Sequence, residues 1–386
     1  MTQQGFLMIS DITGYSRYIN ESELEHARDS LTALLNLLIE HTQSPLVLSK
    51  LEGDAVFSYA PAGGFLQRQS LLDMIETTYA SFRKALELMA LNTTCTCNAC
   101  RNLPNLDLKF FVHFGDYMTQ KLGTFTELVG NDVNLVHRLA KNHIKEKTGF
   151  KAYAAFTQSV MDVLGLVDFQ NSLTPHRETF ADVGEVQIYV LDMHSVWERL
   201  KDRVRIEVKP EDALVVREYI FPVPLSICWE YMTKPEFRQM VLGVEKVEVG
   251  NLKQGRSAVN SVYYCYHGNM ETRLLILDWQ PFEGYTTDGV TPIGASFSMT
   301  IKLEPIEGGT RVINLWGKAR GAWIRRKLND LLQKLIFVSK NDQGYEKLRQ
   351  RMQQDLADGT TFISPPIEVD NAQIAALASQ ALTTEH

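Results

Sequence analysis

Gly5-Phe6-Leu7-Met8-Ile9-Ser10-Asp11-Ile12-Thr13-Gly14-Tyr15 is the stretch on which the reading of this chain turns. An apolar run that ends in Asp-Ile-Thr-Gly predicts a buried strand followed by a turn, with Asp11 at the strand's end. A second stretch, Leu46–Tyr59, reads as two strands joined at Glu52-Gly53-Asp54, with Asp54 on the hairpin tip. Neighbouring strands lie about 5 Å apart, so two strand-end carboxylates can converge on one point. Such a pair repels itself and is costly unless a cation sits between the charges. Mg²⁺ or Mn²⁺ carrying a triphosphate suits it, since Mg²⁺ is usually held by one or two carboxylates plus substrate phosphates. The backbone N–H groups of Ile12-Thr13-Gly14-Tyr15, which lead into a helix, are placed to meet those phosphates.

Outward from these strands, Ser22–Glu40 carries Leu31, Leu34, Leu35 and Leu38 at helical spacing, with Ser22 and Glu25 as a capping box. Leu71–Leu91 reads as a second amphipathic helix, Leu106–Phe114 as a strand, Asn134–Asn142 as a helix and Val183–Leu191 as a closing strand. Helices alternating with hairpins predict an α+β or α/β sandwich over residues 4–195. The charged, weakly patterned segment 198–209 marks a boundary, as expected for 386 residues at roughly 100–200 per domain. A second domain, 205–355, opens with a strand (Ala213–Phe221) and two short helices (Leu225–Tyr231, Pro235–Val241). A strand-rich stretch, Val244–Lys318, follows, then a helix from about Ala322 to Met352. Ile324, Leu328, Leu331, Leu335 and Val338 form one stripe along that helix and predict its buried face. The tail 356–386 contains Pro365-Pro366 and is expected to be partly disordered, with a short helix at Ile374–Leu382.

The net charge of −7 offers no whole-chain basic field for nucleic acid. No run approaches the ~18 apolar residues of a membrane span, and Met1-Thr2-Gln3-Gln4 lacks the basic start of a signal peptide. Five cysteines with three clustered do not resemble a secreted disulfide framework, so a cytoplasmic location is expected. The cluster, Cys95, Cys97 and Cys100, suits Zn²⁺, which wants four ligands. His113 and an adjacent subunit are the candidates for the fourth, and redox chemistry or plain buried thiols are the alternatives. Cys228 and Cys265 read as small core residues.

Residues 6–15 resemble the first metal motif of the class III adenylate and guanylate cyclases, and Lys50–Phe57 resembles their second. Val112-His113-Phe114-Gly115-Asp116 is similar to the strand and turn that follow. Val129-Gly130-Asn131-Asp132-Val133-Asn134-Leu135-Val136-His137-Arg138-Leu139 is similar to the helix with the transition-state pair. The motifs come in the family's order across nearly the whole first half. The resemblance implies a ferredoxin-like catalytic domain that converts ATP to 3′,5′-cyclic AMP and pyrophosphate with two divalent metals. Asp11 and Asp54 would hold both metals with the Ile12 carbonyl, and Thr13, Gly14 and Tyr15 would lie against the phosphates. Lys50 and Glu127 would read the base, which favours ATP because a Lys donates to adenine N1 and a carboxylate accepts from its amine. Asn134 would orient the ribose and Arg138 would stabilise the transition state, in a homodimer with shared sites.

One departure stands out. Where the family has a phosphate-binding Lys before a Gly, this chain has Phe180-Ala181-Asp182-Val183-Gly184-Glu185. Lys141, Lys145 and Lys147 are the substitutes in sequence. The competing expectation is a degenerate domain that binds nucleotide, or only dimerises, without catalysis.

Residues 205–355 resemble the START-like (polyketide cyclase/dehydrase, SRPBCC-type) superfamily in element order, which implies a helix-grip fold. Trp229, Phe237, Leu242, Trp279, Phe282 and Phe297 fit an aromatic lining and imply an apolar small molecule as ligand. His267, in Tyr263-Tyr264-Cys265-Tyr266-His267-Gly268, faces either that cavity or a turn.

Overall fold

The computed structural model describes residues 2–359 other than 44, 63–67, 93, 94, 96, 123, 124, 269, 292 and 293. The chain forms two units, one running to Arg203 and one starting at Val204. The expected tail helix and residues 360–386 lie outside the described residues.

The first unit begins with β1 (Gln3–Thr13), α1 (Tyr15–Asn20), α2 (Leu24–Thr42), β2 (Val47–Glu52), β3 (Ala55–Pro61) and α3 (Arg68–Asn92). A short α4 (Asn98–Asn102) leads to β4 (Asp107–Leu122). These strands lie in the order β2-β3-β1-β4, with β1 antiparallel to both neighbours. That order, with βαββαβ connectivity, is the ferredoxin-like arrangement. β1 is central and covered on both faces, which explains its unbroken apolar run. The remaining elements are β5 (Phe125–Val129), α5 (Asn131–Leu139), α6 (Ile144–Thr148), β6 (Tyr153–Thr157), α7 (Gln158–Leu164), α8 (Val167–Ser172), β7 (Thr174–Phe180), β8 (Gly184–Asp192) and α9 (Met193–Leu200). β6, β8 and β7 extend the sheet beyond β4, and β5 folds back on β4 as a hairpin.

Side chains alternate across a strand, so β1 divides its residues between two layers. Leu7 and Ile9 join Phe57, Phe111 and Ile188 under α5, whose Val133, Val136 and Leu139 complete that core. The other face is covered by α2 and α3, whose Leu31, Leu34, Leu38, Ile75, Tyr79 and Phe82 are buried. The capping box at Ser22 does not form. α2 starts at Leu24 with Glu23 as its cap residue, and the Ser22 hydroxyl is buried without a partner. The Glu23 side chain, at the cap position, makes no capping bond to its own helix start and accepts instead from the Ala99 N–H at 3.0 Å, tying α2 to the insert around α4.

The second unit comprises β9 (Ala213–Phe221), α10 (Leu225–Thr233), α11 (Pro235–Leu242), β10 (Lys246–Gly250), β11 (Val262–His267), β12 (Met270–Gln280), β13 (Gly284–Val290), β14 (Ser296–Ile306) and β15 (Gly309–Gly317). They make one antiparallel sheet ordered β10-β11-β12-β13-β14-β15-β9. α12 (Trp323–Leu332), a π-helical turn (Gln333–Phe337) and α13 (Val338–Ala357) follow. α13 packs through Tyr345, which stacks on Tyr219 at 4.1 Å. Gly344 meets the Val241 backbone so closely that an added Cβ would lie 2.1 Å from its carbonyl oxygen.

The expected apolar stripe is reversed over α12. Ile324, Leu328, Leu331 and Leu335 are exposed, Ile324 at 70%, while Asn329 and Gln333 are fully buried. The π-turn is the cause. It makes the step from Gln333 to Val338 five residues, so the face buried along α13 does not continue at the 3.6-residue period into α12. Among the described residues no helix is long and apolar enough to cross a membrane.

Candidate active site

Asp11 lies opposite Ala55 in the β1–β3 ladder, so Asp54, in the hairpin turn just before β3, comes alongside the end of β1. The Ile12 N–H donates to the Asp54 carbonyl at 3.1 Å and fastens the turn to the strand. Gly53 (φ +66°) supplies the left-handed residue of that two-residue turn, and Gly14 (φ +89°) the one that ends β1. Both aspartates are part-buried. Burial, then the neighbouring Asp11 charge, pushes the Asp54 carboxyl up to about 7. Burial also raises Asp11, against the pull of the Lys109 ammonium.

Lys109 faces Asp11 across the β1–β4 ladder and sits over the Tyr153 ring at 5.2 Å. Burial lowers its pKa, and Asp11 and then Lys145 are the charges that act on it most strongly. Lys145 on α6 is therefore close to this end of the sheet, whereas Lys141 and Lys147 are exposed surface residues. Tyr15, the first residue of α1, is buried with its hydroxyl unpartnered, and burial together with the Asp54 charge raises its pKa to about 12. The Thr13 hydroxyl is also without a partner. Asp11, Ile12, Thr13, Tyr15 and Asp54 thus gather at one strand end, with Lys109 added by the fold. Lys109 was visible in sequence only as a charge within the apolar strand Leu108-Lys109-Phe110.

The other sequence candidates lie apart. Lys50 pairs with Glu52 at 2.8 Å, and Glu52 also meets His137 of α5 at 3.0 Å. Glu127 is exposed on β5, which lies beside β2, so the two residues expected to read a base are on adjacent elements. Asn134 is exposed on α5. Arg138 donates to the Ala181 carbonyl and lies 3.7 Å from the Asp182 carboxylate. Among the described residues, neither Asn134 nor Arg138 makes a hydrogen bond or ion pair with Asp11 or Asp54.

The cysteine cluster has its fourth candidate ligand, and it is not His113. His113 is buried in mid-sheet on β4, with Nδ1 2.9 Å from Thr157 Oγ1 and Nε2 3.3 Å from Asp132. Instead His26 of α2 brings Nδ1 within 3.2 Å of Cys97 Sγ and 3.7 Å of Cys95 Sγ. The donor atoms of His26, Cys95, Cys97 and Cys100 all lie within 4.8 Å of one another. Sequence could not pair residue 26 with residue 97, because only the packing of α4 on α2 joins them.

In the second unit a cavity of ≈260 Å³ is lined by Leu242, Cys265, Leu274, Phe297, Trp316 and Phe337 among others, and His267 faces it. The expected aromatic lining is only partly there. Trp229 and Trp279 pack against each other at 4.9 Å and against Tyr285 in a filled core. Cys228 and Cys265 are both buried.

A family model described as "Protein of unknown function (DUF2652)" matches residues 31–148. The Mycobacterium tuberculosis (strain ATCC 25618 / H37Rv) protein Rv2561/Rv2562, itself uncharacterized, is 31% identical over 163 residues, which are 42% of this chain and 73% of that one. The chain belongs to the family of Rv2561/Rv2562. Among solved structures, it is similar to a bacterial light-regulated adenylyl cyclase at 14% identity and TM-score 0.37, over 52% of this chain and 98% of that one. It is similar to the guanylyl cyclase Cya2 at 15% identity and TM-score 0.37, over 49% and 92%. For this member of the Rv2561/Rv2562 family, the site at the end of β1 falls partly before the matched segment, which holds Asp54 but not Asp11.

Proposed function

We propose that the first unit binds a nucleoside triphosphate through divalent metal at Asp11 and Asp54 and acts as a nucleotidyl cyclase, converting ATP to 3′,5′-cyclic AMP and pyrophosphate. The observation that carries this reading is the pair of part-buried carboxylates fastened together by the Ile12–Asp54 backbone bond, with Lys109 the cation beside them. Two such acids fit a divalent cation, because burial and mutual repulsion leave them short of positive charge. Asp11, Asp54 and the Ile12 carbonyl would hold it, and when bound it would lower the pKa of the ribose 3′-hydroxyl and neutralise the triphosphate. Lys109 and Lys145 offer the phosphates the cations missing from 180–185. Lys50 and Glu127 present a donor and an acceptor for a base from neighbouring elements, ATP preferred. Asn134 would orient the ribose, and Arg138 would meet the developing charge.

Among the described residues of one chain, Asn134 and Arg138 make no bond to the acids, which fits a homodimer in which each site takes its acids from one subunit and its Asn/Arg pair from the other. The engagement of Arg138 with Ala181 and Asp182 favours a second reading, a nucleotide-binding domain without turnover. Purified protein with Mn²⁺ and each of ATP and GTP, products read by mass, separates them. Cyclic product from ATP supports the enzyme, metal-dependent binding without product supports the second reading, and neither overturns both.

The same unit holds, in this proposal, a structural Zn²⁺ on His26, Cys95, Cys97 and Cys100, a Cys₃His set of the usual structural kind. It would tie α2 to the insert before β4. The second unit, with one antiparallel sheet and a long C-terminal helix around a cavity, is proposed as a START-like domain that takes a small apolar molecule and regulates the first.

A further inference from the structure

Arg238 lies on α11 with only 4% of its surface exposed. Its guanidinium sits over the Tyr263 ring at 4.2 Å and the Tyr285 ring at 5.3 Å, and Nη1 donates to the Tyr285 hydroxyl. Tyr285 in turn donates to the Met232 carbonyl at 2.9 Å, and Tyr263 to the Thr233 carbonyl at 3.0 Å. The remaining nitrogens, Nε and Nη2, are buried without any hydrogen-bond partner. The ionisable groups that act on this charge most strongly are Tyr285, Tyr263, Cys265 and Tyr345, and among the described residues the guanidinium makes no ion pair. A buried charge with no counter-ion among the described residues and two of its three nitrogens unpaired is among the costlier arrangements in a protein interior, and one hydrogen bond and two aromatic faces offset only part of that cost.

The free nitrogens are not an arbitrary pair. Nε and Nη2 form one straight edge of the guanidinium, the edge that grips a carboxylate through two parallel bonds. Arg238, Tyr285, Asn341 and Tyr345 border a void of ≈10 Å³, about one water in size, so a carboxylate on that edge takes the place of one water and requires the side chains bordering the void to move apart. Leu242 and Asn341 border both this void and the ≈260 Å³ apolar cavity. Leu242 is four residues after Arg238 on the same helix, so the two side chains share one face of α11.

We infer that the second unit binds a monocarboxylic acid with an apolar body, the body in the cavity and the carboxylate on the Nε/Nη2 edge of Arg238. This rests on the reading of that unit as a ligand-binding domain and adds the class of ligand. The aliphatic and aromatic lining takes the body, and Arg238 selects the acid over its neutral analogues.

The test uses the full-length protein and isothermal titration with two probes of equal chain length, dodecanoate and dodecanol. The acid is expected to bind at least about 10-fold more tightly than the alcohol, the scale of a charge-assisted pair in a buried site. In R238M, which fills the position without a charge, the preference should vanish while dodecanol binding persists. The far-ultraviolet spectrum and melting temperature of R238M check that it folds. R238K, which keeps the charge but lacks the fork, should recover only part of the preference. Equal binding of acid and alcohol by wild type overturns the acid site and leaves the cavity reading standing. No binding of either probe overturns both. An acid preference that survives in a folded R238M also overturns the assignment to Arg238.

Discussion

The Ile12 N–H donates to the Asp54 carbonyl at 3.1 Å, joining the two segments that carry the acids of the proposed metal site. The bond is between backbones, so the carboxylates are held at one strand end whether or not either side chain is altered. Asp11→Asn and Asp54→Asn should therefore fold. Each should lose the stabilisation that Mn²⁺ with ATP confers on wild type, roughly 2.7 kcal/mol when ligand is at 100 times its dissociation constant. Thermal shift with and without Mn²⁺ and ATP reads this directly, and an undiminished shift in both variants contradicts the site.

If sites are shared between subunits, opposite defects complement. Asp54→Ala is expected to be inactive, and Arg138→Ala to fall by roughly two to three orders of magnitude, the usual loss for one transition-state contact. In a mixed dimer one site carries both defects and the other neither, so activity should return to about half of wild type per heterodimer. Confirmed subunit exchange with no recovery argues that each chain builds its site alone.

The Cys₃His group should contain zinc by elemental analysis in a fixed ratio to protein purified without chelator. His26→Ala and Cys97→Ser should each lower both the zinc content and the melting temperature, because metal binding free energy adds to folding free energy. A metal-free protein with unchanged stability in both variants refutes the site.

Glu178 carries a pH dependence of known sign. Burial would raise its carboxyl, but the His143 N–H at 2.9 Å, the His143 ring at 2.8 Å and the His176 ring at 2.9 Å hold it down to about 2. A depressed carboxyl stabilises the fold fully above its unfolded value of 4.5 and loses that contribution as pH falls toward about 2. Denaturation midpoints should therefore drop across that acid window in wild type, and less so in E178Q. At neutral pH, E178Q should cost about 1–3 kcal/mol. Because Glu178 binds the residue that precedes α6, the variant should also disturb Lys145.

The reversal of the α12 stripe separates two leucines of similar standing in sequence. Leu331→Lys should change stability by no more than about 0.5 kcal/mol, since Leu331 is 52% exposed. Leu348→Ala on α13, where the side chain is fully buried, should cost about 2–5 kcal/mol. Urea titrations of the two variants decide it.

In the first unit local signals were enough for β1 to β4, α2, α3, α5 and β8, and for the two acids of the proposed site. The apolar run of β1, the Gly53-Asp54 turn and the leucine spacing of α2 are short-range patterns, and each is set by backbone geometry and burial within a few residues. They set Asp11 at a strand end and Asp54 in a hairpin turn. What needed the third dimension was every partnership between distant segments. Lys109 beside Asp11, His26 beside Cys97, His137 on Glu52 and the open edge of Arg238 arise from strand register and helix docking, which no local period encodes. The face of α12 belongs with them. One π-turn shifts the phase of a helix, so a stripe that is regular in sequence faces solvent, and the side it shows is decided by how α13 docks on the sheet.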